Sequence, residues 1–432
     1  TLVLGRAGTG KTRYASEDFA RRVKNGEKNL YYIVPEQYSH DAERQLLRIC
    51  PDALSLHGEV LSFSRLCSRV FAETGGPAAP VLDKGGRLLY LSRALDATSD
   101  ALTHYGGAER KADFLEKLAD AVSEFKSARV APEDLERAAR AVDSPLREKL
   151  LDLSLVAAAY DALLGGDAAD PDDRLDHLVR VLTKSTMFCS GRVYFDGFTD
   201  FTAQEFKVVE MLSAMRVDLT VCLTCDGASG SEELFLPSRE TALRLTRAAR
   251  EAGVPVETVE LTARPGVRSE ELSYIEQNLF AGTAGRIAGQ HSAVELRRAA
   301  TPALECEYAA SRVAGLIRSG YRRRDIAVAV CDWAAYGRLT EDIFTKYGVP
   351  VFVGQKTEIA RRPPLAVIDC ALGLVTGGWD CDGVFSYLRT GMAGLSPEET
   401  DELENYALLW DLRGAIWTRE DDWTLPTTGY EP

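Results

Sequence analysis

The chain has 432 residues, of which 45% are hydrophobic and 27% charged, and this composition is enough to build roughly two to four domains of ~150 residues each. The net charge of −14 excludes a protein that coats nucleic acid through bulk positive charge, so any DNA contact has to come from local groups. No apolar run approaches the ~20 residues of a membrane span, and no secretory leader precedes the first apolar segment. We therefore expect a cytoplasmic protein without membrane contact.

The first predicted elements are a short strand and a long helix joined by a glycine-rich loop. Leu2–Leu4 form the apolar strand, and TRYASEDFARRVKNG, which ends at Gly26, has a helical pattern. The loop between them fits the pattern G-x-x-x-x-G-K-[ST] with Gly5, Arg6, Ala7, Gly8, Thr9, Gly10, Lys11 and Thr12. Because the strand begins almost at residue 1, we expect little of the chain to be missing upstream.

This loop predicts a nucleotide site. The backbone N–H groups of such a loop and the N-terminus of the following helix bind phosphates, the lysine reaches the terminal phosphates, and the hydroxyl binds Mg²⁺. We therefore predict that all eight loop residues bind ATP and that Thr12 is associated with Mg²⁺. An ordinary glycine-rich turn is the alternative interpretation.

Further strands and helices alternate along the chain, which predicts a parallel α/β sheet. A second strand is predicted at 29–35, and more follow at 192–196, 217–224 and 254–261. We predict a first nucleotide-binding α/β domain at 1–75 and 188–290 and a helical insertion at 76–187. The start of a second α/β domain is predicted at 291–360, with strands at 294–300, 325–330 and 349–353. A truncated helical insertion is predicted at 361–432.

The strand that ends at Asp196 supplies the second half of the predicted ATP site. An ATPase of this kind holds Mg²⁺ through water with such an Asp and activates water with a neighbouring carboxylate. We predict that Asp196 is associated with Mg²⁺ together with Thr12. The next residue is Gly197. Helicase motors of superfamily 1 have the sequence D-E-x-Q-D at this point, with Glu directly after the Asp, whereas this chain has D-G-F-T-D. The loss of a positioned base typically lowers the rate by ~10²–10⁴-fold, so we predict little or no hydrolysis.

Two further carboxylates and one segment of the second predicted domain also bear on hydrolysis. Asp200 or Glu205 could replace the missing base, although neither is at the expected offset. Superfamily 1 motors also have an Arg near the end of the first strand–helix unit of their second domain, where this chain has Cys331-Asp332-Trp333. The glycine in place of the catalytic Glu and the absence of this Arg both favour a site that holds nucleotide and turns it over poorly.

The nine cysteines do not have the spacing of a metal site. Only Cys222 and Cys225 form a C-x-x-C, and no second pair or nearby histidine completes a zinc set. They lie in the strand-like VDLTVCLTCD, which puts positions i and i+3 on opposite faces. We predict buried thiols in a reducing cytosol and no metal site made of Cys or His.

Several blocks follow one another in an order typical of one family. These blocks are GRAGTGKT at 5–12, YYIVPEQYSHDAERQLL at 31–47, YFDGFTDFTAQE at 194–205, ECEYAASRV with RRRDIAV at 322–328, and YLRTGMAGLSPEETDELENYALLWDLRGAIWT at 387–418. Together they resemble the B subunits of the bacterial AddAB ATP-dependent helicase/deoxyribonuclease. The last block is the most specific, because a generic ATPase would not contain it.

The resemblance implies a P-loop NTPase fold of the superfamily 1 helicase type, with parallel-sheet α/β domains, large helical insertions and a degenerate helicase site. It implies the ATP- and DNA-binding subunit of a complex that processes double-strand breaks for homologous recombination, in a heterodimer with an AddA-type subunit. The nuclease domain and iron–sulfur cluster of this family lie near the C-terminus. We therefore expect this chain to be an N-terminal fragment and assign none of its cysteines to that cluster.

The same resemblance implies a single-stranded DNA channel along the loops after the second strand and its neighbours. By this analogy Gln37, Tyr38, His57 and Ser62 are candidate DNA contacts. An aromatic ring at Tyr38 or Phe63 would contribute ~1–3 kcal/mol by stacking on a base, although a core position is the favoured interpretation of Phe63.

Two other classes of function stay open at this point. A free-standing P-loop ATPase or kinase is one, but a kinase would need a lid and a catalytic Asp or Arg set that no segment marks. A scaffold with a vestigial nucleotide site is the other, and the intact Lys11 and Thr12 weigh against it.

Overall fold

The architecture comes from a computed structural model. It describes residues 1–51, 54–106, 112–143, 145–227, 233–263, 269–280, 285–289, 292–353, 359, 362–427 and 429. The chain divides into two compact units, Thr1–Glu295 and Leu296–Pro432, and each is treated by itself.

The first unit contains all six strands that the described residues form. They are β1 Leu2–Gly5, β2 Leu30–Ile33, β3 Gly58–Leu61, β4 Arg192–Phe198, β5 Asp218–Thr224 and β6 Thr258–Glu260. Its helices are α1 Lys11–Lys24, α2 Ser39–Ile49, α3 Leu54–His57, α4 Phe63–Thr74, α5 Lys84–Thr98, α6 Ala112–Ser127, α7 Pro132–Arg140, α8 Pro145–Leu164, α9 Arg174–Val181, α10 Ala203–Ala214, α11 Leu236–Glu251 and α12 Glu270–Asn278.

The described part of the second unit is helical. Its helices are α13 Pro302–Arg318, α14 Trp333–Lys346, α15 Pro363–Gly377, α16 Cys381–Leu388 and α17 Pro397–Leu409. Among the described helices of both units, none is long and apolar enough to cross a membrane.

The six strands form one sheet in the order β3-β2-β4-β5-β1-β6, and every pair is parallel. Side chains of a strand alternate between the faces, so Leu2 and Leu4 enter one hydrophobic core while Val3 enters the other. Burial on both faces is what the nearly unbroken apolar runs of β1 and β2 predict. The predicted parallel α/β fold is confirmed, and all loops that follow the strands meet at one edge of this sheet.

Helices α5 to α9 lie between α4 and β4. Of these, α5, α6 and α8 build a core of their own, whereas α9 packs into a core of the sheet. An ion network stabilises this group of helices. The Lys126 ammonium lies 2.8 Å from Asp173 and 3.3 Å from the buried Asp170, and the Tyr160 hydroxyl donates to Asp170 at 2.8 Å. Gln204 on α10 donates to the Asp172 carbonyl at 2.9 Å, which joins the helices to the side of the sheet domain.

The second unit differs from its prediction. The predicted strands at 294–300, 325–330 and 349–353 are not strands in the structure, although Ile326 has extended backbone angles. A strand exists through its ladder of hydrogen bonds, and within the described residues no neighbouring strand pairs with these segments. Phe344 and Val349 pack instead with Ala310 into a small core between α13 and α14.

Candidate functional site

The glycine-rich loop connects β1 to α1 and depends on three glycines. Gly8 and Gly10 have φ angles of 78° and 92°, in the left-handed region that glycine adopts without strain. A Cβ on Gly5 would lie 2.3 Å from Thr9 Oγ1, so a side chain has no room there. The predicted strand–loop–helix order around the motif is therefore present.

Lys11 and Thr12 open α1 directly after the loop. The Lys11 ammonium donates to the Gly5 carbonyl at 2.8 Å and to the Arg6 carbonyl at 3.0 Å, so it lies over the loop. Thr12 is exposed in the first helical turn. The first N–H groups of α1 point toward the loop, as they do at the N-terminus of any helix. No side chain caps them, so they are suited to bind an anion.

The side chain of Arg6 points away from this arrangement. Its Nε donates to Glu276 Oε1 at 2.8 Å and its Nη2 to the Glu276 carbonyl at 2.6 Å. Its guanidinium also lies 5.0 Å from the ring centroid of Phe235. We predicted Arg6 as an ATP-binding residue; because Glu276 on α12 holds its side chain, this prediction now concerns its backbone only. The sequence carries no signal of this contact.

Asp196 is buried on β4, and two protonated side chains lie beside its carboxylate. The Tyr32 hydroxyl donates to Asp196 Oδ2 at 2.9 Å, and Cys222 lies on the neighbouring strand β5, with its Sγ 3.8 Å from the Lys11 carbonyl. Burial, followed by the Asp196 carboxylate, raises the pKa of both Tyr32 and Cys222. Both groups therefore keep their protons at neutral pH.

The spacing of the strands relates this carboxylate to the loop. One strand, β5, separates β1 from β4, which sets the two strand ends ~10 Å apart at the same edge of the sheet. The Thr12 hydroxyl and the Asp196 carboxylate are hard oxygen donors of the kind that Mg²⁺ prefers. The donor set thus fits the predicted cation.

Gly197 departs from a motor site in its backbone as well as in its side chain. Its φ is 84°, and β4 shifts register against β5 between Phe195 and Phe198, so the chain bulges where the base would stand. A Cβ on Gly197 would lie 3.3 Å from Pro35 Cδ. The predicted strand ended at Asp196, whereas β4 continues through Gly197 to Phe198. The glycine directly after an apolar run was the available signal, because glycine in a strand often marks a bulge.

The two carboxylates considered as substitute bases are engaged in local structure. Asp200 Oδ1 accepts from the Phe201 amide at 2.7 Å and from the Thr241 hydroxyl at 2.6 Å. Glu205 forms a capping box with Thr202 at the start of α10, where its Oε2 accepts from the Thr202 amide at 2.9 Å. Each has a structural task that accounts for its position.

Of the four candidate DNA contacts, two are exposed side by side. Gln37 and Tyr38 belong to a short 3-10 helix, Glu36–Tyr38, directly after β2, and Tyr38 is 57% exposed. His57, at the end of α3, is half-buried, and its Nδ1 lies 2.8 Å from the Glu27 carbonyl.

The prediction for Ser62 is wrong. Ser62 is fully buried, and its hydroxyl caps α4 by accepting from the Arg65 amide at 3.3 Å. Ser62 also donates a hydrogen bond to Glu36 in the loop that follows β2 and so helps to hold this loop. Burial raises the pKa of Glu36, but the hydrogen bonds from Ser64 and Ser62 outweigh burial, so that the pKa of Glu36 is lowered. Phe63 is buried as well, and its predicted core position is confirmed.

A cavity of about 550 Å³ opens beside these loops. Its walls come from the segment after β2, the end of β4, the starts of α4 and α10, and residues 171–175 at the start of α9. Phe63, Phe198 and Leu175 contribute apolar surface. The charged residues of its lining are Glu36, Asp172, Arg174 and Glu205, so the cavity has more acidic than basic groups.

Cys222 and Cys225 are both buried and belong to different cores, which confirms their predicted placement on opposite faces of the sheet. Within the described ranges, no group of three or more His, Cys, Asp and Glu residues has the geometry of a metal site.

Comparison with known proteins assigns the chain to a family. Residues 2–276 match the family model described as ADDB, N-terminal. A protein of Acetivibrio thermocellus is 33% identical over 435 residues, which cover 98% of this chain and 38% of the relative. A protein of Desulforudis audaxviator is 36% identical over 438 residues, with 98% and 37% covered. Both are named as the B subunit of an ATP-dependent helicase/deoxyribonuclease, and this chain spans less than two fifths of their length. Because the family model matches well over half of the chain, this chain belongs to the AddB family.

Proposed function

We propose that the chain is the ATP- and DNA-binding part of a subunit of a helicase–nuclease that processes double-strand DNA breaks for homologous recombination. Its relatives are named as the B subunit of an ATP-dependent helicase/deoxyribonuclease, which supports a complex with at least one other subunit. We propose an AddA-type helicase–nuclease as that partner, and the cytoplasm as the location. The nuclease domain and the iron–sulfur cluster are proposed to belong to residues outside this chain.

The observation that carries the nucleotide proposal is the loop from Gly5 to Thr12 at the carboxyl edge of a parallel sheet, with Asp196 two strands away. The loop amides and the N-terminus of α1 would hold the phosphates of ATP, and the Lys11 ammonium would exchange its loop carbonyls for the terminal phosphates. Thr12 and Asp196 would hold Mg²⁺, which supplies neutralisation of the phosphate charge.

We propose that this site binds ATP without efficient turnover. Hydrolysis needs a base that orients water against the terminal phosphate. At the expected position stands Gly197 on a bulge, and Asp200 and Glu205 are bound to neighbouring groups. Nucleotide would then stabilise or regulate the subunit, while translocation would be driven by a motor in the partner.

We propose that single-stranded DNA binds along the loop after β2. Gln37 and Tyr38 are exposed there, and the cavity beside them is apolar and acidic rather than basic. His57 precedes β3 and lies at the opposite edge of the sheet, so it is not part of this proposal. Such a surface suits stacking and polar contacts with bases more than charge contacts with phosphates. This arrangement also agrees with the net charge of −14.

The test of the nucleotide proposal is equilibrium binding of a fluorescent ATP analogue, with hydrolysis measured on the same preparations. We expect the wild-type chain to bind the analogue with Mg²⁺ and to release almost no phosphate. Lys11→Ala should abolish binding, because the ammonium is the main charge that the loop supplies to the phosphates. Lys24→Ala, at the exposed end of the same helix, is the matched control and should bind like wild type.

Each other outcome favours a different function. Rapid hydrolysis by the wild-type chain would contradict the degenerate site and favour a free-standing ATPase. Absence of binding in a folded wild-type chain would favour a scaffold with a vestigial loop.

A further inference from the structure

We propose that Tyr32 is a positioning residue for the Asp196 carboxylate, and that its hydroxyl sets the affinity of the nucleotide site for Mg²⁺. This inference rests on the proposed function, because it concerns the cation that accompanies ATP. It adds a residue from a different strand, outside both sequence motifs of the site.

The register of the sheet brings the two residues together. Tyr32 on β2 pairs with Tyr194 on β4, and Asp196 follows two residues later, so its side chain points to the same face as those two rings. The Tyr32 hydroxyl donates to Asp196 Oδ2 at 2.9 Å. Tyr32 is 1% and Asp196 5% exposed, so bulk water does not compete for this bond.

The Tyr32 ring has little freedom to move. It stacks on Tyr194 with centroids 5.8 Å apart and an interplanar angle of 20°. On its edge it meets Phe19 at 5.8 Å, and Phe19 lies on α1, the helix that Lys11 opens. The hydroxyl is therefore fixed in space by the same helix and sheet that carry the phosphate loop.

A fixed donor restricts the carboxylate that accepts from it. With Oδ2 bound to Tyr32, the rotation of the Asp196 carboxylate is limited, and the orientation of its other oxygen is set. Groups that hydrogen-bond to a metal-associated residue orient it in this way, and their loss typically lowers metal affinity by about 10- to 100-fold. A buried tyrosine that merely satisfies a core carboxylate would have no such effect on cation binding.

Tyr194 offers a matched control for this distinction. It belongs to the same stack and the same core, and its hydroxyl donates to Asp18 on α1 at 2.6 Å rather than to Asp196. Tyr194→Phe and Tyr32→Phe each remove one buried hydroxyl and leave the rings in place. Of the two variants, only Tyr32→Phe removes a hydroxyl that donates to Asp196, and both leave the neighbouring Cys222 thiol in place.

The experiment measures binding of a fluorescent ATP analogue to the chain during a Mg²⁺ titration and in EDTA. For Tyr32→Phe we expect half-maximal Mg²⁺ enhancement of binding at a concentration about 10- to 100-fold higher than in wild type. Affinity in EDTA should be unchanged, because the loop and Lys11 are intact. Tyr194→Phe should titrate like wild type, and circular dichroism verifies that all variants are folded.

The outcomes separate this inference from the proposed function. If folded wild type fails to bind the analogue, the proposed function fails first. If wild type shows Mg²⁺-enhanced binding and Tyr32→Phe titrates identically, the positioning role is overturned while the nucleotide site stands. An equal shift in Tyr194→Phe would also overturn it, because packing alone would then explain the effect. In an Asp196→Asn background, Tyr32→Phe should cause no additional shift, and an additional shift of the original size would contradict the assigned path.

Discussion

At Gly197 a single residue changes both the chemistry and the backbone of the site. Its φ of 84° is one that side-chain-bearing residues adopt only with strain, and Pro35 occupies the space beside it. A glutamate at this position would therefore not simply restore a motor site, because the backbone on which the base must stand is bulged. The bulge and the missing carboxylate reinforce each other.

We predict that Gly197→Ala lowers the free energy of unfolding by about 1–2 kcal/mol, since a non-glycine residue is strained at a left-handed φ. Gly26→Ala is the matched control: Gly26 has a φ of 77° and nothing within 4 Å of its added Cβ. It should cost less than Gly197→Ala, because only Gly197 faces Pro35. Denaturant titration measures both.

The same argument predicts that Gly197→Glu destabilises the chain and leaves phosphate release near the wild-type level. A Gly197→Glu chain that is as stable as wild type and hydrolyses ATP rapidly would show that the backbone adapts to the base. The lesion would then lie in the side chain alone.

Contacts within a few residues were predictable from the sequence, and contacts between distant residues were not. The loop from Gly5 to Thr12 follows from local glycine and lysine spacing. The bond from Tyr32 to Asp196 joins residues 164 positions apart, and the bond from Arg6 to Glu276 joins residues 270 apart. No pattern in the sequence specifies such partners, because they depend on the order of strands in the sheet.

Among the elements, the short helix Glu36–Tyr38 is the part of the candidate DNA surface with exposed side chains. It is held from behind: Glu36 accepts hydrogen bonds from Ser62 and Ser64 at the start of α4. Ser62 therefore supports the short helix through Glu36 and has no exposed surface for contact with DNA.

We predict that Tyr38→Ala weakens the binding of an oligo-dT single strand by about one to two orders of magnitude, since stacking on one base contributes ~1–3 kcal/mol. Tyr321→Ala, which removes a tyrosine of similar exposure (58%) from the second unit, should leave the affinity unchanged. Fluorescence anisotropy at one fixed salt concentration measures both. Equal affinities for all three proteins would remove Tyr38 from the DNA surface.

The strand predictions succeeded and failed for one physical reason. β2, β4 and β5 were predicted from apolar runs, and each has a parallel neighbour on both sides in the sheet. The runs at 325–330 and 349–353 are equally apolar, but an apolar run forms a strand only when another strand satisfies its backbone. The local sequence therefore indicated the propensity of these runs and carried no information about a partner.

On the scale of the whole molecule, the two units differ in how their backbone is held. The first unit has a six-stranded ladder, whereas the described extended segments of the second have none. Phe352, within one of these segments, is 96% exposed. The second unit, taken by itself, is therefore stabilised mainly by helix contacts.

We predict that amides of Ala327–Val330 and Val351–Val353 exchange hydrogen much faster than those of β1 and β5 in this chain. Amides exchange slowly where opening requires loss of a ladder or a core, and these segments have no ladder partner among the described residues. Hydrogen exchange with mass spectrometry measures this difference on one sample. Protection in 327–330 equal to that in β5 would show that another segment pairs with it.

The place of β1 in the sheet has a consequence for biosynthesis. β1 and its loop are translated before the other described elements, yet Leu2 pairs with Val221 on one side and Thr258 on the other. At ~5–20 residues per second, the ribosome delivers the last of these neighbours roughly 13–50 s after the loop. During that interval the apolar Leu2-Val3-Leu4 segment has no sheet to enter, so nascent-chain chaperones have a long opportunity to bind it. The phosphate loop is therefore synthesised early, whereas the sheet that supports it is completed late.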